Sequence, residues 1–224
     1  MKSEFMHFLL FLLFPVISLP LMAQTASPQK VACVGNSITA GVGLHDRNHD
    51  SYPMVLAQML GKEYEVRNFG VSGRTMVQKG QSYMKEKAFE KALDYRPDIL
   101  IVKLGTNDTN PPYWKYKNDY MNDMNILIHA FKKRNPEVKV YLCYPVAIYS
   151  ERFREREEIL VNELIPMIDK VAKQNDAETI DLHTPTQDIP DAFFDNIHPN
   201  EKGARIIARE ICKALTRNVT RCTE

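Results

Sequence analysis

The stretch Val31-Ala32-Cys33-Val34-Gly35-Asn36-Ser37-Ile38-Thr39-Ala40-Gly41 decides how the rest of this 224-residue chain is read. Val31 to Val34 is a short apolar run rich in β-branched residues, the pattern of a strand buried on both faces of a parallel sheet. Gly35 ends the run, and Asn36, Ser37 and Thr39 are residue types that open turns and cap helices. Ser37 therefore falls at the carboxyl end of a strand and the start of a helix. Open α/β sheets bind ligands at that edge. Free backbone N–H groups and the helix dipole also favour negative charge there. A serine that must carry a tetrahedral oxyanion wants this place. A serine that merely caps a helix also occupies it, and the stretch alone leaves both readings open.

Working outward, strands and helices alternate. Gly41 to Ser51 is a polar loop holding His45, Asp46, Arg47, Asn48, His49 and Asp50. Tyr52 to Leu60 has helical character and Gly61 stops it. Glu63 to Phe69 alternates as a second strand and leads into a glycine-bearing turn, Asn68 to Thr75. Met84, Ala88, Ala92 and Leu93 recur at helical spacing. Asp98 to Leu104 is a third strand ending in Gly105-Thr106-Asn107-Asp108. Tyr120, Met124, Leu127, Ile128 and Phe131 form an apolar stripe on the next helix. Val138 to Tyr144 is a fourth strand. Phe153 to Asn175 reads as one long helix, with Leu160, Leu164, Ile168 and Val171 inward and a kink at Pro166. Glu178 to Leu182 is a short fifth strand, and Asn200 caps a final helix. This order means an α/β fold: a five-stranded parallel sheet between two helical layers, with right-handed crossovers. No repeat or linker marks a second domain.

The bulk composition narrows the function. A net charge of +1 and no basic cluster argue against a nucleic-acid surface. No G-x-G-x-x-G or G-K-[ST] loop supports nucleotide binding, and no cofactor is expected. Lys2 followed by apolar runs over Phe8 to Phe14 and Val16 to Met22 reads as a secretory signal with cleavage after Ala23. That leaves 24–224 as a single domain, exported to the periplasm or beyond. An uncleaved membrane anchor is the competing reading, although Pro15 and Pro20 break the run and it is short for a span. No cysteine follows the segment as a lipid-attachment site. Cys33 and Cys143 lie in core strands, where cysteine acts as a small hydrophobe. An oxidising compartment would permit a Cys212–Cys222 bridge, which sequence alone does not decide.

The polar motifs all fall at the carboxyl edge of the sheet, after strands one, two and three and before the last helix. They supply what acyl transfer needs. Ser37 is a candidate nucleophile and His198 a candidate base. Asp195, three residues earlier, can reach the second imidazole nitrogen and hold the ring. Pro199 keeps His198 out of helical geometry. Gly73 lets a backbone N–H approach a substrate oxygen. Together with the Ser37 N–H and the Asn107 side-chain amide, it makes three donors for an oxyanion. Ser72 as nucleophile, and Asp188 or Asp191 as the group orienting His198, are the alternatives. His45, His49 and His183 read as loop residues. Asp195 and His198 lack a third convincing metal ligand, so no metal is expected.

Four blocks in order, Gly35-Asn36-Ser37-Ile38, Gly70-Val71-Ser72-Gly73, Gly105-Thr106-Asn107-Asp108 and Asp195-Asn196-Ile197-His198-Pro199, resemble those of the SGNH hydrolases, or GDSL esterase/lipase family. The resemblance runs from about Val31 to Leu215. It implies a flavodoxin-like strand order of 2-1-3-4-5. It places the nucleophile on Ser37, the acid and base on Asp195 and His198, and the oxyanion donors on the Ser37 amide, Gly73 and Asn107. Asn36 departs from the family's usual aspartate, which is not the proton-relay carboxylate. The family spans carbohydrate O-acetylesterases, lipases, lysophospholipases and thioesterases. Polar loops at 41–51, 109–117 and 184–191, and Tyr113 and Trp114 as faces for a sugar ring, favour deacetylation of a carbohydrate. The sequence also resembles exported bacterial sialate or xylan O-acetylesterases. Asn36 is included with Tyr113 and Trp114 among the expected substrate contacts. Action on short to medium acyl esters of lipids or thiols is the second reading. A non-catalytic carbohydrate-binding protein is the third, and it predicts a missing catalytic residue where none is missing. The expected partner is a small-molecule or polysaccharide ester, with neither nucleic acid nor a membrane.

Overall fold

The computed structural model of the chain describes residues 27–149, 151–217 and 222; the expected signal segment lies outside them. β1 (Gln29–Gly35) leads through α1 (Ser37–Ala40), α2 (Arg47–Asp50) and α3 (Tyr52–Leu60) to β2 (Tyr64–Gly70). The chain then recrosses through α4 (Lys87–Tyr95) to β3 (Ile99–Lys103), on the other side of β1. From there α5 (Pro111–Trp114) and α6 (Tyr120–Arg134) lead to β4 (Lys139–Cys143). Next come α7 (Arg154–Ile159), α8 (Ile165–Asn175), β5 (Glu178–Ile180) and α9 (Glu201–Thr216). All pairings are parallel, in the order β2-β1-β3-β4-β5. The expected topology and the five strands therefore hold, with strand ends shifted by a residue or two, while the segments expected as loops at 41–51 and 109–117 contain the short helices α2 and α5.

The strand register explains why the central strands read as unbroken apolar runs. Ala32 and Val34 of β1 and Leu100 and Val102 of β3 face one core, with Leu127, Phe131 and Leu164 from the helices on that side. Val31, Cys33, Ile99 and Ile101 face the other, with Leu56, Leu60, Ile207 and Ile211 of α3 and α9. Each strand needs apolar side chains at every position because both faces are covered. Cys33 and Cys143 are free thiols sealed in the second core, and burial pushes both up, Cys143 to about 12. Cys212 at the end of α9 is bridged to Cys222.

The long helix expected over 153–175 is not continuous. A π-helical turn, Leu160–Leu164, separates α7 from α8, immediately before Pro166. Proline lacks the N–H that a regular helix would send back four residues and crowds the preceding turn. Widening that turn absorbs the misfit and keeps Leu160 and Leu164 in the core.

The chain reverses its direction of travel across the sheet at β1, between β2 and β3. The crevice at the carboxyl ends of these strands is the topological switch point, where open α/β sheets place ligands. Ser37 follows β1 and Asn107 follows β3, so both border it.

Candidate active site

Asn36, not Ser37, caps α1: its Oδ1 accepts the Ile38 N–H at 3.1 Å. This frees the Ser37 hydroxyl, which lies 2.8 Å from Nε2 of His198. The cap is thus Asn36, and the Ser37 hydroxyl is left to pair with the imidazole. On the other side of the ring, Nδ1 lies 2.7 Å from Oδ2 of Asp195. Oδ1 of the same carboxylate accepts the backbone N–H groups of Ile197 at 3.1 Å and His198 at 2.7 Å. Asn196, between them, takes a left-handed backbone with φ 69°, which closes the turn. Burial pushes the Asp195 carboxyl up. The His198 N–H, the His198 ring and the Ile197 N–H outweigh it and hold the group below its ordinary value. Asp195 is therefore a carboxylate at neutral pH, Nδ1 donates to it, and Nε2 is left to accept from Ser37.

The turn carrying this pair is pinned from three sides. Phe194 N–H donates to the His198 carbonyl at 3.1 Å, and Phe193 and Pro199 form an antiparallel bridge. Tyr149 N–H reaches the Asn196 carbonyl at 3.1 Å. Asn200 then caps α9, accepting from Gly203 N–H. Of the competing groups, Asp191 pairs with Lys202, His183 with Glu157, and His49 with Asp50.

The loops after β2 and β3 are laced together. Asn107 Nδ2 donates to the Arg74 carbonyl at 3.0 Å, which leaves its second N–H for another acceptor. Asp108 accepts from Met76 N–H at 2.9 Å and Val77 N–H at 2.9 Å. Burial pushes Asp108 up to about 7, against the pull of the Val77 and Met76 N–H groups. Gly73 has φ +76°, a conformation that disfavours a side chain, and open space where a Cβ would stand. The Ser37 N–H, in the first turn of α1, has no intrahelical acceptor.

Sequence reasoning missed Arg156. It is buried, its Nη2 donates to the Thr106 carbonyl at 2.8 Å, and its Nε donates to Thr109 Oγ1 at 3.1 Å. It therefore grips both flanks of Asn107 from α7. The available signal was its spacing, four and eight residues before the inward Leu160 and Leu164.

Two expected substrate contacts are corrected. Asn36 is 1% exposed, because the turn folds over it; its Oδ1 caps α1, and its Nδ2 is buried without a hydrogen-bond partner among the described residues. Trp114 is 8% exposed and packs in the core with Tyr120 and Met124, because α5 turns it inward. Tyr113 is half-buried, with its Cδ1 over Gly80.

Ser37, His198 and Asp195 form one hydrogen-bonded line, and Asn107 and Gly73 lie in the loops after β3 and β2. A family model described as GDSL-like lipase/acylhydrolase matches residues 33–206 and takes in all of these residues. The chain belongs to that family. It is also 38% identical to the acetylxylan esterase of Xylanibacter ruminicola, over 83% of this chain and 43% of that protein. The chain thus spans less than half the length of this relative. Among solved structures it resembles a carbohydrate acetylesterase family member from Sinorhizobium meliloti, with TM-score 0.67 and 18% identity over 86% of this chain and 99% of that one. It also resembles the acetylxylan esterase Axe2 of Geobacillus stearothermophilus, with TM-score 0.65 and 19% identity over 85% of this chain and 95% of that one. At such identities these two likenesses bear on the fold alone, which they share.

Proposed function

We propose that the protein is a serine O-acetylesterase that removes acetyl groups from a carbohydrate. The observation that carries the reading is the hydrogen-bonded line Ser37 Oγ–His198–Asp195, at 2.8 and 2.7 Å. His198 Nε2 takes the Ser37 proton as Oγ attacks the ester carbonyl. Asp195 stabilises the imidazolium and holds its tautomer. The Ser37 and Gly73 N–H groups and the free N–H of Asn107 receive the oxyanion. His198 then gives its proton to the leaving sugar hydroxyl, and water repeats the sequence on the acetyl-enzyme. The substrate class is supported by the relative named an acetylxylan esterase. Export is part of the proposal, supported by the apolar segment before Ala23 and by the Cys212–Cys222 bridge.

The test is acetate release from acetylated xylan, beside p-nitrophenyl esters of increasing chain length, with Ser37→Ala as control. The expected result is acetate from the glycan, rates falling beyond short acyl chains, and no activity in the variant. Rates that rise toward longer acyl chains, with no acetate from any glycan, would move the protein to lipid or thioester hydrolysis.

A further inference from the structure

Three large apolar side chains stand exposed among the described residues: Ile126, Val161 and Phe194. The first two sit on the outer surface of helical segments, where single apolar residues are ordinary. Phe194 is different in place and kind. It is 52% exposed, aromatic, and immediately precedes Asp195 in the turn that holds the triad. Its ring lies near-parallel to the His198 imidazole, with centroids 5.8 Å apart and planes 20° apart. Its outer edge rests on Gly43, in the loop that follows α1. A Cβ there would fall 1.9 Å from Cε1 and 2.0 Å from Cζ, so a residue with no side chain is what admits the ring. That loop is tied to the nucleophile, since Val42 N–H donates to the Ser37 carbonyl. The backbone of Phe194 is fixed by its bond to the His198 carbonyl, and Phe193 beside it is buried against Tyr149.

The ring is thus held at a set height beside the leaving-group side of the triad, since His198 protonates the departing hydroxyl. We propose that Phe194 is the platform on which the sugar ring bearing the acetyl ester stacks. The C–H face of a pyranose is apolar and flat, and an immobilised aromatic face with water on it is the matching surface. This assignment rests on the carbohydrate reading above and replaces the role expected of Trp114. It makes Phe194 a specificity determinant rather than a catalytic residue. A competing role is also open to the ring: shielding the His198–Asp195 pair from water. Any bulky apolar side chain would serve for that, whereas stacking needs a flat one.

The experiment separates the two roles by substrate and by variant. Phe194→Leu, Phe194→Ala and Phe194→Trp are compared on acetylated xylooligosaccharides and on triacetin, which has neither a sugar nor an aromatic ring. Leu and Ala should raise KM for the oligosaccharides about tenfold, the scale of one aromatic contact, and Trp should keep it near the wild-type value. The ratio of kcat/KM on the oligosaccharides to that on triacetin should fall about tenfold in the Leu and Ala variants and hold in the Trp variant, whatever each variant does to the common rate. Equal oligosaccharide KM in Phe, Leu and Trp enzymes would overturn the proposal. So would an equal fall in kcat on both substrates in the Ala variant, which would make the ring a support for His198. Failure of the wild-type enzyme to release acetate from any glycan would remove the carbohydrate reading and this platform together, a result visible before any variant is made.

Discussion

Replacing Asp195 by asparagine changes one atom and should disable the enzyme through the tautomer of His198. Oδ1 of Asp195 accepts two backbone N–H groups, from Ile197 and His198, and Oδ2 accepts from Nδ1. An asparagine must keep its oxygen toward the two N–H donors, so its NH₂ faces Nδ1. The ring then has to accept at Nδ1 and carry its proton on Nε2, aimed at Ser37 Oγ. In that state it cannot take the serine proton. The charge-assisted hydrogen bond lost is worth about 2–3 kcal/mol. Attraction between carboxylate and imidazolium at about 4 Å is worth about 4 kcal/mol at an effective dielectric of about 20. The Asp195 side chain is 42% exposed, so about half of that is retained after screening by water. The sum, about 4–5 kcal/mol, is a loss of roughly a thousandfold or more in kcat/KM. Asp195→Ala loses the same attraction but forces no tautomer, so the roughly thousandfold loss applies to it and the asparagine variant should be about tenfold worse still. The assay is p-nitrophenyl acetate hydrolysis at pH 8, with thermal melts to show that both variants fold. An asparagine variant within tenfold of wild type, or less impaired than the alanine variant, would refute the geometry argued here.

Two further outcomes follow from buried cations. Lys103, at the end of β3, is fully buried with no hydrogen-bond partner for Nζ in the described structure, and desolvation pulls its ammonium down to about 8, slightly opposed by Cys143. The unfolded chain therefore binds the proton more tightly, so between pH 8 and about 10 the wild type should gain about 1.4 kcal/mol of stability per pH unit relative to Lys103→Met. Urea unfolding should find the Met variant more stable at pH 7, by about 3 kcal/mol, with the gap closing as pH rises; a gap independent of pH would contradict this. Arg156→Gln should lower kcat about tenfold with KM within about twofold, because it loosens the segment around Asn107 rather than touching substrate; unchanged kcat in a folded variant would show that Asp108 and Asn107 hold the loop unaided.

The fold was legible in the sequence because a sheet covered on both faces writes itself as apolar runs, and because each run here ends in a turn motif. The hydrogen-bonded line Ser37–His198–Asp195 was legible for a related reason. Asp195 and His198 share one turn, whose hydrogen bonds are local, and Ser37 sits where strand meets helix. What stayed hidden depended on partners distant in sequence. Trp114 and Phe194 are both aromatics in connecting segments, and nothing nearby shows that α5 turns one inward while Gly43, some 150 residues away, supports the other. Arg156 was hidden because a charge at a core-facing helical position reads as a boundary of the stripe, not as a tether to a loop. Pro166 announced a disturbance but not its form, since a kink and a π turn relieve the same clash.

The motif blocks carry two kinds of residue, and the structure separates them. Ser37, His198, Gly73 and Asn107 carry the proposed chemistry. Asn36, Asn68, Asp108 and Asn200 do not: they cap α1, bind the Thr39 carbonyl, hold Met76 and Val77, and cap α9. Asn107 does both, spending one N–H on Arg74 and offering the other. An oxyanion donor helps only if it already points at the developing charge, because a donor that must reorganise gives back in reorganisation what it gains in attraction. The motif residues come from four connecting segments, after β1, β2 and β3 and between β5 and α9. Their rigidity must come from side-chain hydrogen bonds across loop boundaries. That requirement explains why the blocks are dense in Asn and Asp, residues whose short amides and carboxylates bind backbone. It also explains how Asn36 can stand where the family usually has aspartate: the position needs an oxygen for the Ile38 N–H, and an amide supplies one, at the cost of a buried Nδ2 that finds no partner among the described residues.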